Sequence, residues 1–172
     1  MIIHISGTSG SGKTYIGNIF KNIMNVIDTD DWTEEYDKII KVKTKKSFID
    51  FIQNKINNLD KNKINLLVGY LDVYINNKLI IFPITENNCF KFYIKILPKK
   101  LFIQYNSRII NWICKNKEEA LSKINHYKLL SFKTLDEIEK QYNKDLDDYV
   151  IKSKYKLYSQ NKIIKILEKQ SF

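Results

Sequence analysis

Gly7-Thr8-Ser9-Gly10-Ser11-Gly12-Lys13-Thr14 gathers three of the chain's five glycines into one window with the spacing G-x-x-x-x-G-K-T. Glycines at that spacing let the backbone turn tightly, so that successive N–H groups point inward and surround phosphate oxygens. The lysine then reaches the β and γ phosphates, and the final hydroxyl ligates Mg²⁺. The flanks narrow the fold further. Met1 to Ser6 is a short run rich in β-branched residues, and Tyr15 to Met24 sets Ile16, Ile19, Phe20 and Ile23 at helical spacing. A strand, a glycine loop and a helix in that order aim a helix N-terminus at the phosphates. The order disfavours a Gly/Ser-rich turn with no ligand, and it makes Gly7, Thr8, Ser9, Gly10, Ser11, Gly12, Lys13, Thr14 and Tyr15 the candidate nucleotide-binding residues.

The rest of the chain repeats the alternation. Asn25 to Asp28 reads as a second strand ending in acids; Asp31 or Thr33 is expected to cap a helix to about Lys41, and Ser47 a further one carrying Phe48, Phe51, Ile52 and Ile56. Ile64 to Val68 reads as a strand buried on both faces that stops at Gly69. Leu79 to Phe82 fits either an extra strand or a packed loop, ended by Pro83. Phe90 to Leu97 is the next strand, closed by Pro98, which opens a helix carrying Leu101, Phe102, Tyr105, Ile109 and Trp112. Lys115 to Lys133 is polar and lysine-rich and is expected to be mobile. Leu135, Ile138, Tyr142, Leu146 and Tyr149 form one face of a long helix. Lys154 to Tyr158 is the last strand, and Ser159 caps a helix with Ile163, Ile164 and Leu167. At 172 residues this is one α/β domain, 1–172. The expected architecture is a three-layer, doubly wound parallel sheet of about five strands with ligands at the strands' carboxyl ends.

The formal charge is +10, carried almost wholly by lysines spread along the chain, with local density at Lys41 to Lys46 and Lys91 to Lys100. That scatter reads as solvated surface with a general attraction for anionic substrates, with nucleic acid kept as an alternative partner. Cys89 and Cys114 are isolated, and His4 and His126 are too few for a zinc site. With no long apolar span and no signal-peptide pattern, a soluble, intracellular (cytoplasmic) setting without a membrane partner is expected. Nothing in the sequence fixes an oligomeric state.

Asp28-Thr29-Asp30-Asp31 follows the second strand and so belongs to the same carboxyl edge as the glycine loop. Carboxylates there suit phosphoryl transfer: one orients Mg²⁺ through its waters, another accepts the proton of an attacking hydroxyl. The competing role is helix capping, for which Asp31 is the first choice.

On these residues the chain resembles the small-molecule and nucleoside kinase branch of the P-loop fold, typified by shikimate, gluconate, nucleoside and nucleoside-monophosphate kinases. The matching features are Gly7 to Thr14, Asp28-Thr29-Asp30, Gly69 after the third strand, and Tyr93-Ile94-Lys95-Ile96 followed by a helix with Arg108. The resemblance implies ATP-dependent phosphoryl transfer, with ATP and Mg²⁺, to a small hydroxyl- or phosphate-bearing acceptor such as a nucleoside, nucleotide or metabolite. It implies that Lys13 holds the β and γ phosphates, that Thr14 and Asp28 serve the metal, and that Asp30 contacts the acceptor hydroxyl as base. Gly69 admits the substrate, and Arg108, the chain's sole arginine, braces the transferred group. A helical lid is implied at about 108–134.

There are departures: lysines such as Lys115 and Lys117 stand where lid arginines are usual, and the third strand ends in Gly69 without a Walker-B aspartate, Asp72 lying too far beyond. Two alternatives are a polynucleotide 5′-hydroxyl kinase built on Asp30-Asp31-Trp32 and a nucleotide-binding module without turnover. Asn116-Lys117-Glu118-Glu119 ends in Glu and is not a guanine-specifying N-K-x-D motif. The Ile-, Asn- and Lys-rich texture resembles that of P-loop proteins from A/T-rich large DNA viruses.

Overall fold

Period-2 alternation along the strands decides which helices cover which side of the sheet. In the computed structural model, which describes residues 1–84, 89–116 and 132–170, β1 (Ile2–Ser6) is wholly buried and lies at the centre of five parallel strands. Its neighbours are β3 (Asn65–Val68) on one side and β6 (Cys89–Lys95) on the other, with β2 (Asn25–Asp28) and β7 (Lys156–Ser159) at the edges, in the order β2-β3-β1-β6-β7. The register pairs Ile3 with Leu66 and Phe90, and Ile5 with Val68 and Phe92, so these side chains share a face. That face packs on Ile16 and Phe20 of α1 (Lys13–Phe20) and on Ile163 and Leu167 of the C-terminal helix (Gln160–Gln170).

The opposite face carries Ile2, His4, Ser6, Leu67 and Tyr93. Near the β2 edge it is covered by Trp32 and Tyr36 of α2 (Thr29–Ile39) and by Phe48, Ile52 and Ile56 of α3 (Lys45–Asn57). Towards β7 it is covered by Leu101 of α4 (Pro98–Lys115) and by Ile138 and Tyr142 of α5 (Leu135–Asp145). The three-layer parallel sheet is therefore as expected. Among the described residues no helix is long and apolar enough to cross a membrane.

Several local expectations need correction. The first helix ends at Phe20, and Ile19 and Ile23 lie 39% and 58% exposed, off the buried face formed by Ile16 and Phe20. The cap of α2 is Asp28, whose Oδ1 accepts from the Asp30 N–H at 3.0 Å; neither Asp31 nor Thr33 caps it. The cap of α3 is Thr44, with Ser47 as its reciprocal partner three positions on. Thr44→Ala is expected to lower stability by about 1 kcal/mol, read from a urea unfolding midpoint.

The segment after β3 is an antiparallel hairpin, β4 (Asp72–Ile75) and β5 (Lys78–Ile81), outside the main sheet. Its two-residue turn is Asn76-Asn77, both at positive φ (49° and 61°), a conformation that asparagine tolerates better than most residues. At the far end, β7 starts at Lys156 because Lys154 sits at φ 59°, which breaks the extended run. The long helix changes to a π-helical turn over Leu146–Lys152, and its buried face runs Ile138, Tyr142, Asp145 and Tyr149. Asp145 thus takes the inward position expected of Leu146.

Candidate functional site

The glycine loop leaves the carboxyl end of β1 and delivers an uncapped helix start. Gly10 and Gly12 sit at φ 87° and 98°, where other L-residues are strained, and Gly12 is the N-cap of α1 with no side chain to cap it. The first N–H groups of α1 therefore lack a protein acceptor and carry the positive end of the helix dipole. Space at the loop is closed on two sides. A Cβ on Gly10 would stand 3.6 Å from the Tyr105 backbone N of α4, and one on Gly12 would stand 2.4 Å from Gln160 Nε2.

Lys13 folds back over this loop. Its Nζ donates to the Gly7 carbonyl at 2.7 Å and lies 4.6 Å from the centroid of the Tyr70 ring. Burial lowers the lysine's pKa, the charge of Asp30 opposes that shift, and the charge of Arg108 adds to it. Arg108 itself is exposed on α4, one helical turn beyond Tyr105, near enough for its field to reach Lys13. Thr14 is exposed at the helix start, and the Tyr15 ring is 58% exposed and turned outward, which leaves its backbone N–H as the group facing the loop.

The acids of β2 and α2 meet the loop across the end of β3. Asp30 Oδ1 accepts from the Tyr70 N–H at 2.8 Å, which pins the carboxylate beside Gly69. Gly69 has φ 135°, and a Cβ there would lie 2.5 Å from Thr29 Oγ1 and 2.7 Å from Asp30 Oδ1, so only glycine keeps the carboxylate in place. Asp28 is half-buried, and burial, with the charges of Asp30 and Asp31, raises its pKa against the N–H bond from Asp30. Lys13 Nζ over the Tyr70 ring and Asp30 on the Tyr70 N–H set the loop lysine and that acid on one crevice, and the charges of Asp145 and Asp28 also reach Lys13.

Two carboxylates in that crevice escape a sequence reading. Asp145 is 6% exposed; its Oδ2 accepts from Thr8 Oγ1 at 3.0 Å and from the Tyr93 hydroxyl at 3.1 Å, and its Oδ1 from Gln141 Nε2 at 2.6 Å. Asp72 accepts a short hydrogen bond from the Tyr149 hydroxyl, and burial pushes its carboxyl up to about 6. Asp72 opens the hairpin, and its charge acts on Tyr70 together with those of Asp145 and Asp30. The π-helical turn that follows α5 begins directly after Asp145, and such turns recur at functional sites. Among the described residues no cluster of three or more His, Cys, Asp or Glu forms a metal cage, so a cation here would rely on phosphate oxygens and water for most of its ligands.

His4 is the second omission. It is fully buried, its Nε2 lies 3.1 Å from the Gly69 carbonyl and its Nδ1 2.7 Å from the Tyr155 hydroxyl. A carbonyl only accepts, so Nε2 carries the proton and Nδ1 accepts from tyrosine. The ring thereby fixes the peptide that follows β3. Burial lowers its pKa from 6.5 to about 3. A base whose folded pKa is depressed contributes stability above its unfolded pKa and loses it as pH falls, here from 6.5 towards 3, at about 1.4 kcal/mol per pH unit. The ¹⁵N shifts of His4 are expected to stay those of one neutral tautomer from pH 8 to pH 4; a titration near 6.5 would refute this.

Segment 117–131, the body of the expected lid with Lys117, lies outside the described residues, and Lys115 stands exposed at the end of α4. No protein-family model matches the sequence, and no curated protein matches it. Among solved structures the chain is similar to shikimate kinase from Bacteroides thetaiotaomicron, with TM-score 0.53 and 15% identity over 99% of this chain and 97% of that one. At that identity the likeness is one of fold: five parallel strands flanked by helices in the arrangement of a P-loop kinase.

Proposed function

We propose that this protein, as a single domain with a lid at about 108–134, transfers the γ-phosphoryl group of ATP to the hydroxyl of a small molecule. The observation that carries the reading is the uncapped start of α1, set by Gly10 and Gly12 and opened by Lys13, whose Nζ lies 4.6 Å from the ring centroid of Tyr70, the residue whose N–H binds Asp30. Orphaned polar atoms fit a bound nucleotide. Ser11 Oγ and Gln104 Oε1 are buried without a partner, and both border a cavity of about 260 Å³ with Ile96, Leu97, Lys100 and Gln160 beside the loop. That cavity suits the nucleoside end, while the N–H groups from Gly7 to Tyr15 surround the phosphates.

In this reading Lys13 exchanges the Gly7 carbonyl for β and γ oxygens. Thr14 and the free oxygen of Asp28 would hold Mg²⁺, which would supply positive charge to the phosphate oxygens. Asp30 keeps Oδ1 on the Tyr70 N–H and offers Oδ2 to the acceptor hydroxyl. The acceptor oxygen forms a bond to the γ-phosphorus, its proton passes to Asp30, and the bond from the γ-phosphorus to the bridging oxygen breaks with its electron pair leaving on ADP. Arg108 steadies the transferring oxygens as the lid closes.

The test is a melting-temperature screen with Mg²⁺ and a non-hydrolysable ATP analogue, followed by nucleosides and other hydroxyl compounds. Stabilisation of about 2.7 kcal/mol is expected when the analogue stands at a hundred times its Kd. No shift at any concentration would overturn the reading.

A further inference from the structure

The last ladder bond of β3 runs from the Gly69 N–H to the Ile5 carbonyl at 3.1 Å. The next peptide, between Gly69 and Tyr70, leaves the ladder, and side chains take both of its polar groups. The Gly69 carbonyl accepts from His4 Nε2–H at 3.1 Å, and the Tyr70 N–H donates to Asp30 Oδ1 at 2.8 Å. One planar group therefore lies between a buried imidazole and the carboxylate at the head of α2. Behind the imidazole, the Tyr155 hydroxyl donates to Nδ1 at 2.7 Å, which leaves Nε2 as the protonated nitrogen. Tyr155, His4, the peptide and Asp30 thus form one series of hydrogen bonds in which every donor points toward the carboxylate.

The common direction has a physical effect. Donation to a carbonyl draws electron density onto its oxygen and makes the N–H of the same amide a stronger donor, so bonds in such a series strengthen one another. The two ends differ in freedom. His4 and Tyr155 are 0% and 3% exposed and packed edge to face with ring centroids 5.5 Å apart, and the Tyr155 N–H is tied to the Tyr149 carbonyl at 3.0 Å. Asp30 is exposed in the first turn of α2, where a carboxylate samples several rotamers unless a bond holds it. The rigid end therefore orders the free one, and the Tyr70 N–H is the group that fixes Oδ1.

We propose that His4 is a positioning residue for Asp30, holding Oδ1 in place through the Gly69–Tyr70 peptide and leaving Oδ2 for the acceptor hydroxyl. A base oriented by a further group is a recurring arrangement in proton-transfer sites. The proposal rests on the phosphotransfer reading, in which Asp30 takes the acceptor's proton, and adds to it a residue that touches neither acceptor nor nucleotide.

The test reads the link and its consequence separately, in the full chain. Asp30→Asn replaces a carboxylate with a weaker, neutral acceptor and is expected to move the His4 Nε2–H proton resonance upfield across the peptide, whereas Asp31→Asn leaves it in place. In the other direction, two substitutions divide the bonds of the imidazole. In His4→Gln an amide N–H stands where Nε2 stood; in His4→Asn the amide oxygen stands where Nδ1 stood, and the shorter side chain does not reach Gly69. His4→Asn is expected to move the Tyr70 N–H resonance upfield and to lower kcat by about ten- to a hundredfold, with the Kd for the Mg²⁺-loaded ATP analogue within about threefold of the unchanged protein. His4→Gln is expected to restore the resonance and most of the rate, with kcat measured on the acceptor found in the melting-temperature screen. Equal losses in both variants, or kcat and analogue binding falling together, would make His4 a packing residue and overturn the proposal, as would a His4 resonance that ignores Asp30→Asn. Both resonance shifts in a protein that turns over no acceptor would strike the phosphotransfer reading and leave the link from His4 to Asp30 standing.

Discussion

Asp30→Asn is expected to lower turnover by about a hundred- to ten-thousand-fold while leaving the affinity for the ATP analogue within about twofold of the unchanged protein. The separation follows from the two oxygens of this side chain. Oδ1 accepts from the Tyr70 N–H at 2.8 Å, and an amide oxygen keeps that bond, so the chain beside Gly69 stays in place. The other oxygen becomes an NH₂, which donates and cannot take the acceptor's proton. In the proposed reading the nucleotide is held by the glycine loop, one β-strand away. Asp31→Asn is the control: Asp31 is exposed and does not cap α2, so its substitution is expected to change neither binding nor rate. The two variants are compared by initial rates with an identified acceptor and by calorimetry with the analogue. Equal activity in Asp30→Asn would remove Asp30 from the chemistry.

The contrast between Asp30 and Asp31 also shows what a linear reading can reach. The loop was legible because its backbone demands are written in residue type: positive φ at Gly10 and Gly12 leaves glycine as the fitting residue, and the lysine must follow. Asp28 and Asp30 were legible because a strand end in a parallel sheet is a fixed place. Which acid caps the helix was not, because Asp28, Asp30 and Asp31 are chemically alike and only the φ of −79° and ψ of 116° at Asp28 decide it. Asp145 was out of reach for another reason. It joins the site by bonding to Thr8, 137 positions away, and on a helix face otherwise read as apolar it shows no local pattern that distinguishes it from a surface acid. Asp72 depends on a hairpin whose turn, Asn76-Asn77, lacks the Asn-Gly pair that marks such turns most clearly. His4 reads as a strand residue; its role appears only when parallel pairing sets it beside Leu67 and brings Gly69 within reach.

Lys13→Met should abolish stabilisation by the ATP analogue and, in the absence of nucleotide, leave the protein as stable as before or more so. The opposite signs come from one fact: the environment of Lys13 works against its charge. Burial and the charge of Arg108 lower its pKa on balance against Asp30, Asp145 and Asp28, so the folded protein bears a cost to keep an ammonium group there. Methionine retains an unbranched stem to pack against Tyr70 and removes that cost, which offsets the lost bond to the buried Gly7 carbonyl. With the cation gone, the β and γ phosphates face three carboxylates with only the helix N-terminus and Arg108 in compensation. The analogue's shift of about 2.7 kcal/mol at a hundred times Kd is then expected to fall below detection at the same concentration. Urea unfolding with and without the analogue gives both numbers. A structural lysine would show the reverse, with apo stability lost and the analogue's shift retained, and that outcome would move the phosphate site away from this loop. Residues that lower stability where they stand and gain it back when a ligand arrives are what a binding site requires, since the ligand's charge is what the depressed lysine lacks.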